Sequence, residues 1–279
     1  MTDVTHHAFH AEHGFSHLKL GRNPVRHDAR TLRLARYLDD AVVLPTLPPS
    51  CDLTAAVPSW PMYDNDRLGD CTWAAAAHMV QAWTAANGSV YTPDPSLVDL
   101  AYWQTGQPPS TTGTPGGPTD TGRVELDVLN YWRQHGFGGA PDRSAPITAY
   151  VAVDPRNTEH VRASIYLFGG CYLGVALPIT AQRQRVWDVV GDPATDPDSA
   201  PGSWGGHAVP ELAYDSAGNL KVITWGAPLQ MTQAFHDTYV DEAYAIIAPD
   251  WLPSGKTPQG FDLAALQADL AALAVFAAS

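Results

Sequence analysis

A cysteine and a histidine are the residues of this chain whose positions indicate covalent chemistry. Cys71 follows Asp70, a candidate N-cap, and leads into A74-A-A-A-H-M-V-Q-A-W-T84, a run without Gly or Pro that predicts a helix. The first turn of a helix carries unpaired N–H groups and partial positive charge, which favour a thiolate. We therefore expect Cys71 to have a lowered pKa and to act as a nucleophile, although most cysteines are simply buried.

His207 is the candidate partner of this thiol. A thiolate that attacks a carbonyl needs a proton carrier for the leaving group, and histidine is the usual one. His207 lies in G205-G-H-A-V209 at the start of a predicted strand, where two glycines leave room for a substrate. Considered alone, His207 would be interpreted as a buried core histidine. Its spacing from Cys71 is what favours a functional role.

The segments around Cys71 resemble the start of a mature papain-like cysteine peptidase. L47-P-P-S-C-D52 matches the family's Leu-Pro-x-Ser-x-Asp, and Pro61 also stands where the family has a proline. The resemblance implies that Cys71 is the nucleophile. It places Asn65 at the oxyanion-hole glutamine, although Asn also commonly stabilises turns. The interval from Cys71 to His207 fits the roughly 130–150 residues of papain-type enzymes.

The resemblance continues towards the C-terminus. Trp225 with Gly226 stands where the family carries the Trp-Gly of its Asn-Ser-Trp-Gly segment, and D120-T-G122 is similar to the glycine rim that binds substrate backbone. The resemblance therefore implies that Asp120, Gly122, Gly206 and Trp225 contact the substrate. Turn formation is the competing interpretation of Asp120 and Gly122.

The third catalytic position departs from the family. Its asparagine aligns with Ile223, which cannot hydrogen-bond to an imidazole. Thr224 is adjacent, but side chains alternate along a strand, so we expect it to face away unless a bulge shifts the register. Asp241 and Glu242 are outside candidates for orienting His207.

Composition limits the classes of partner and compartment. A formal charge of −13 argues against nucleic acid or an anionic membrane as partner, and no apolar run reaches membrane-spanning length. The N-terminus lacks the layout of a secretory signal, and the three cysteines are too few and too scattered for a disulfide scaffold. We therefore expect a cytoplasmic protein without membrane insertion.

Three regions follow one another in the chain. Residues 1–46 form an N-terminal arm, either flexible or covering the cleft, in which 27–38 show a weak helical period. Histidines in T5-H-H-A-F-H-A-E-H-G-F-S-H17 could chelate a metal, but their spacing favours a plain terminal arm. Residues 47–252 are the expected papain-like domain, and 253–279 a C-terminal packing helix.

The papain-like domain is expected to be α+β, with two lobes and the active-site cleft between them. The helical lobe spans about 65–145 and includes a second helix over 124–135, stopped by Gly136. The antiparallel β lobe spans about 146–252. Its predicted strands are 150–153, 171–177, 207–214, 220–225 and 243–248.

The sequence thus favours a papain-like cysteine hydrolase that cleaves a peptide or isopeptide bond in a peptide or protein substrate. The mechanism needs no metal or organic cofactor. Two alternatives stay open. One is a catalytically idle papain-fold module that binds a partner through its cleft, and the other is a Cys-His acyltransferase or transglutaminase-like enzyme.

Overall fold

A sheet of eight strands and five α-helices make up the part of the chain that the computed structural model describes, residues 14–35, 46–105, 120–138 and 144–251. The helices, which we label in chain order, are α1 (Cys71–Ala86), α2 (Pro95–Gln104), α3 (Glu125–His135), α4 (Thr158–Phe168) and α5 (Gln233–Tyr239). The strands are β1 (Cys51–Asp52), β2 (Ala149–Ala152), β3 (Cys171–Leu177), β4 (Val186–Trp187), β5 (Gly205–Tyr214), β6 (Asn219–Thr224), β7 (Ala227–Thr232) and β8 (Val240–Ile247).

The sheet is antiparallel except at one edge. Its order is β2-β8-β3-β5-β6-β7-β4, with β1 paired to the far end of β5, and only β4 and β7 run parallel. Strand β5 therefore lies between β3 and β6, near the middle of the sheet. His207 belongs to β5 and lies opposite Val175 of β3, whereas the pairing of β5 with β6 begins at Glu211.

Helix α1 is buried along nearly its whole length. Its alanine run lets neighbouring elements approach closely, and it packs against β5, β6, α2 and α3. Two of its tryptophans join an aromatic cluster, in which Trp83 stacks on Trp132 with ring centroids 5.8 Å apart and Trp73 packs against Phe137. Burial on all sides fixes the helix, and hence the position of Cys71 at its N-terminus.

The α+β class is confirmed, as are the helices after Cys71 and after Val124 and the five strands expected beyond residue 145, with shifted ends. The weak helix over 27–38 is wrong for residues 27–34, which are not helical. Arg33 instead forms a β-bridge with Ala152. The backbone bonds of this segment are thus satisfied by the sheet rather than by a helix.

Several predicted elements lie outside the described residues. These are the histidine-rich stretch before residue 14, most of the loop ahead of α3, and the C-terminal helix within 253–279. In the described ranges, no helix is long and apolar enough to cross a membrane.

Candidate active site

Cys71 is the first residue of α1 and is only 1% exposed. Burial raises the pKa of its thiol to about 12, the backbone N–H groups of Ala208 and Gly21 lower it, and the neighbouring charge of Asp70 raises it further. The expected lowered pKa is therefore wrong for this conformation. Desolvation outweighs the helix N-terminus, because a thiolate without water loses more than the first-turn N–H groups return.

His207 is next in sequence to a residue that contacts the thiol. The backbone N–H of Ala208, which follows it in β5, reaches the Cys71 sulfur, so the strand passes the start of α1 at this point. His207 is fully buried, and burial lowers its pKa to about 3, so the ring is neutral. Its Nδ1 makes no hydrogen bond within the described ranges, whereas Nε2 does.

Thr224 holds the imidazole of His207. The Thr224 Oγ1 lies 2.7 Å from Nε2, and both side chains are buried. The expectation that Thr224 faces away is wrong. The pairing of β5 with β6 shifts register between Glu211 and Ala213, the kind of irregularity that realigns the side chains beyond it. Ile223, aligned with the family's asparagine, is a buried core residue.

The two outside candidates for this orienting role are engaged elsewhere. Asp241 and Glu242 both bind the guanidinium of Arg22, and Glu242 also accepts a hydrogen bond from the Tyr244 hydroxyl at 2.6 Å. Thr224 therefore replaces them as the hydrogen-bond partner of His207.

Trp225 covers the other face of the imidazole. Its ring stacks on His207 with centroids 4.4 Å apart and planes at 19°. Trp225 and Gly226 form the two-residue turn between β6 and β7, with φ values of 45° and 73°. Two positive φ values are typical of the tight hairpin turn that follows strand twist, and a bulky residue adopts one only under constraint. The turn thus fixes an indole against the histidine.

Asn65 does not present its amide to the site. Its Nδ2 donates to the Leu68 carbonyl at 3.3 Å and to Asp70 Oδ1 at 3.1 Å. Both N–H bonds of the amide are therefore used to hold the loop that precedes Cys71. In this conformation Asn65 serves the turn and not an oxyanion, which is the alternative that the sequence left open.

Asp120 likewise supports the loop before the cysteine. Its Oδ1 accepts hydrogen bonds from the Gly69 N–H at 3.0 Å and from the Tyr102 hydroxyl at 2.6 Å. The side chain that was expected to contact substrate thus positions the backbone two residues before Cys71.

Gly122, Gly206 and Trp225, the other residues expected to contact substrate, all contact the chain's own N-terminal segment. A Cβ on Gly122 would lie 2.1 Å from the Gly21 oxygen, and one on Gly206 would lie 2.3 Å from the Arg22 oxygen. Trp225 Nε1 donates to the Lys19 carbonyl at 3.2 Å. The glycines are therefore required by the close approach of a second backbone.

Residues 19–23, which we call the strap, run as extended chain over Cys71. The Arg22 N–H donates to the Gly206 carbonyl at 3.1 Å. On the other side, the Gly21 carbonyl accepts from Arg123 N at 2.7 Å and Asn23 N donates to the Arg123 carbonyl at 2.8 Å. Backbone pairing on both sides thus places the strap between the β5 end that carries His207 and the segment that begins α3.

No group of three or more His, Cys, Asp or Glu side chains suited to a metal ion occurs within residues 14–35, 46–105, 120–138 and 144–251. Cys51 and Cys171 are free thiols, half-buried in β1 and buried in β3 respectively.

The fold can be compared with known structures. Xylellain, a cysteine protease from Xylella fastidiosa, aligns with a TM-score of 0.58 at 17% identity, over 83% of this chain and 96% of that chain. The cysteine protease and lectin-like domains of Cwp84, a surface layer associated protein of Clostridium difficile, align at 0.54 and 13%, over 88% and 59%. Digestive procathepsin L 3 of Tenebrio molitor larval midgut aligns at 0.51 and 12%, over 86% and 78%. The chain has the papain-like fold. Neither a protein-family model nor a curated protein matches the sequence.

Sequence reasoning missed two parts of this papain-like site. Thr224 was considered and set aside, because the register shift in β5 leaves no mark in the sequence. Arg22 was not considered at all. The dipeptide of Gly21 and Arg22 was its only signal, since a glycine beside a lone arginine indicates a close backbone approach next to a charged side chain.

Proposed function

We propose that this protein is a papain-like cysteine hydrolase acting on a peptide or isopeptide bond, with Cys71 as nucleophile and His207 as proton carrier. The observation that carries the proposal is the 2.7 Å contact between Thr224 Oγ1 and Nε2 of His207, one residue before Ala208, whose N–H reaches the buried thiol. Because Nε2 is bound to Thr224, Nδ1 is the nitrogen left to exchange a proton with Cys71.

The reaction begins when the strap leaves the cleft. Water then reaches the sulfur, the pKa of Cys71 falls, and Nδ1 of His207 takes the thiol proton. The thiolate attacks the carbonyl carbon and forms a tetrahedral intermediate, whose oxyanion we assign to the backbone N–H of Cys71 at the start of α1. His207 then gives its proton to the departing amine. A water molecule activated by the same nitrogen releases the acyl group.

The strap itself is a poor substrate for this chemistry. Gly21 approaches the sulfur with its N–H, while its carbonyl oxygen accepts the hydrogen bond from the Arg123 N–H. The sulfur therefore meets the amide N–H of Gly21, while the carbonyl of this residue is directed to Arg123. The covered form is therefore consistent with self-inhibition by residues 14–35.

A full-length variant with a displaced strap tests the proposal. A Cβ on residue 21 would lie 1.9 Å from the Gly69 carbonyl oxygen, so Gly21→Leu cannot keep the strap in place. We expect this variant to cleave members of a mixed peptide library, scored by mass spectrometry with and without an added amine acceptor. Gly21→Leu with Cys71→Ala is the matched control and should cleave none.

Three other outcomes would separate the alternatives. A transfer product that replaces hydrolysis when the amine is present would make the protein an acyltransferase. A reactive Cys71 without cleavage or transfer would contradict hydrolase function. If the displaced variant shows no Cys71 reactivity and no turnover, the result would favour an idle binding module.

A further inference from the structure

The Arg22 side chain is buried in an acidic pocket beside the reaction centre. Its side chain is 2% exposed, and Nη2 lies 2.6 Å from Asp241 Oδ1 and 3.0 Å from Glu242 Oε2. Nη1 reaches the second oxygen of Asp241 at 3.3 Å, and Nε lies 3.4 Å from Glu125 Oε1. Carboxyl groups thus contact the guanidinium at Nε, Nη1 and Nη2. A planar guanidinium can make several such contacts at once, and a lysine ammonium binds less well in this geometry.

The pocket holds more acid than one arginine balances. Glu125 is fully buried and Glu242 nearly so, while the Asp241 side chain is 40% exposed. Neither oxygen of Glu125 makes a hydrogen bond within the described ranges, and its Oε1 lies 3.4 Å from Arg22 Nε. Burial raises the pKa of Glu125 well above its usual range, so the contacts with Asp241 and Glu242 are the ones that favour a cation in the pocket.

The shape of the pocket depends on a glycine. A Cβ on Gly174 in β3 would lie 2.3 Å from Arg22 Nε and 2.6 Å from its Cζ. Any larger residue at 174 would close the space that the guanidinium occupies. The strand therefore leaves a side-chain-sized opening where the carboxylates converge.

The backbone contacts around Arg22 are those that any extended peptide can make. Gly206 accepts from the Arg22 N–H, and Arg123 pairs with Gly21 and Asn23. These backbone bonds need no particular side chain, but residue 21 must be glycine, because a Cβ there would lie 1.9 Å from the Gly69 carbonyl oxygen. Next to this glycine, Arg22 supplies the side chain that the cleft can recognise.

We infer that this pocket, formed by Glu125, Asp241, Glu242 and Gly174, selects substrates with an arginine at the position that Arg22 now fills. The inference rests on the proposed function, because it names the substrate class of the same cleft. A neutral or acidic side chain would leave buried carboxylates unpaired. A lysine offers a point charge that cannot span Asp241 and Glu242 together.

The test uses the full-length Gly21→Leu/Arg22→Ala double variant, whose pocket is free. Blocked peptides carry Arg, Lys, citrulline or Leu at one position in turn, and kcat/KM is measured for each. Citrulline is the decisive probe because it keeps the shape of arginine without its charge. We expect arginine to exceed citrulline by at least about tenfold at one position, since a site built for a hydrogen-bonded ion rejects its neutral analogue.

Two further variants locate the preference. Adding Glu242→Gln to the double variant should reduce the ratio of arginine to citrulline, and adding Gly174→Val should abolish cleavage of the arginine peptide. Alkylation of Cys71 at the rate of the Gly21→Leu/Arg22→Ala double variant shows that the added substitutions leave the site intact. Binding is measured separately, as the protection that the arginine peptide gives Cys71 against an alkylating reagent.

The outcomes separate the two proposals. Cleavage that does not distinguish arginine from citrulline at any position overturns the pocket and leaves the hydrolase standing. Protection by the arginine peptide, but not the citrulline peptide, with no cleavage upholds the pocket as a recognition site and overturns the hydrolase. If the arginine peptide gives no protection and the enzyme shows no preference for arginine, the inference is overturned.

Discussion

Two buried polar regions lie side by side under the strap, and they are buried in opposite electrical states. At the reaction centre burial raises the pKa of Cys71 to about 12 and lowers that of His207 to about 3, so both groups are neutral. In the neighbouring pocket burial alone would lower the pKa of Arg22, but Glu125, Asp241 and Glu242 raise it above its usual range. The groups at the first region are thus neutral, whereas Arg22 keeps its charge in the second, where burial also raises the pKa of Glu125 well above its usual range.

The difference shows which region holds the strap. Neutral groups at the reaction centre offer the strap little beyond one N–H contact, whereas the pocket binds a charge at several points. Because Gly21 and Arg22 are adjacent, the binding of Arg22 in the pocket keeps Gly21 over the thiol. The ionisation of Cys71 and His207 is thus governed by an ion pair outside the two residues.

Removing the anchor should have the largest effect. Arg22→Ala leaves buried carboxylates without a counter-ion, so we expect the free energy of unfolding to fall by about 3–5 kcal/mol in urea titrations. Arg26→Ala is the matched control, since Arg26 is a half-exposed arginine of the same segment paired with Asp127. It should cost less than about 1 kcal/mol. Equal losses in the two variants would contradict the anchoring role.

Substitutions at Thr224 distinguish two roles for this residue: orienting the His207 imidazole and packing at the reaction centre. In the Gly21→Leu background, Thr224→Val removes the partner of His207 Nε2 without changing the side-chain shape, so kcat should fall about tenfold to a hundredfold with little change in KM. Thr224→Ser should restore most of the rate. Ile223→Val, a core change one residue away, should cost about 1 kcal/mol of stability and leave kcat unchanged.

Asn65 tests whether the oxyanion role survives in the open form. Asn65→Ala removes donors to Leu68 and Asp70, and we expect a loss of about 1–3 kcal/mol of stability. In the Gly21→Leu background kcat should change less than about threefold. A loss of about a hundredfold or more in kcat would instead identify Asn65 as an oxyanion donor.

Glu211 has a buried carboxyl group away from the strap. It tests how burial alone changes the pKa of a carboxyl group that has no strong counter-charge. Burial raises its pKa to about 8 from the ordinary 4.5, and His236 Nε2 lies 3.5 Å away. The folded protein therefore binds a proton that the unfolded chain has released above pH 4.5, so stability from this group is lost as pH rises towards 8. Glu211→Gln should gain stability relative to the parent between pH 5 and pH 8, measured by urea unfolding. A constant difference would contradict the raised pKa.

The sequence predicts the local elements better than the contacts between them. Strand β3 was expected over residues 171–177, where it lies, because a short apolar run between Gly170 and Pro178 predicts a strand. Helix α2 was overlooked, although Asp94 caps it and Pro95 fills its first position, both readable signals. The fold class follows from such local patterns.

The state of the site depends on contacts that no local pattern encodes. The pKa of Cys71 is set by burial to which residue 21 contributes, and the partner of His207 is set by a register shift in the strand pairing. Arg22 meets carboxylates more than 200 positions away in the chain. Sequence spacing predicted Cys71 and His207 as nucleophile and proton carrier, while their ionisation depends on the folded strap.

The most direct test of this account is the pH dependence of Cys71 alkylation by iodoacetamide in the parent protein and in Gly21→Leu. Cys51, half-buried and with a pKa raised by burial to about 11, serves as an internal reference when modified peptides are resolved by mass spectrometry. In the parent, Cys71 should react more slowly than Cys51 below pH 10. In the variant its rate at pH 8 should rise by about a thousandfold or more, because thiolate forms once water reaches the sulfur. Identical Cys71 profiles in the two proteins would contradict the claim that the strap controls the nucleophile.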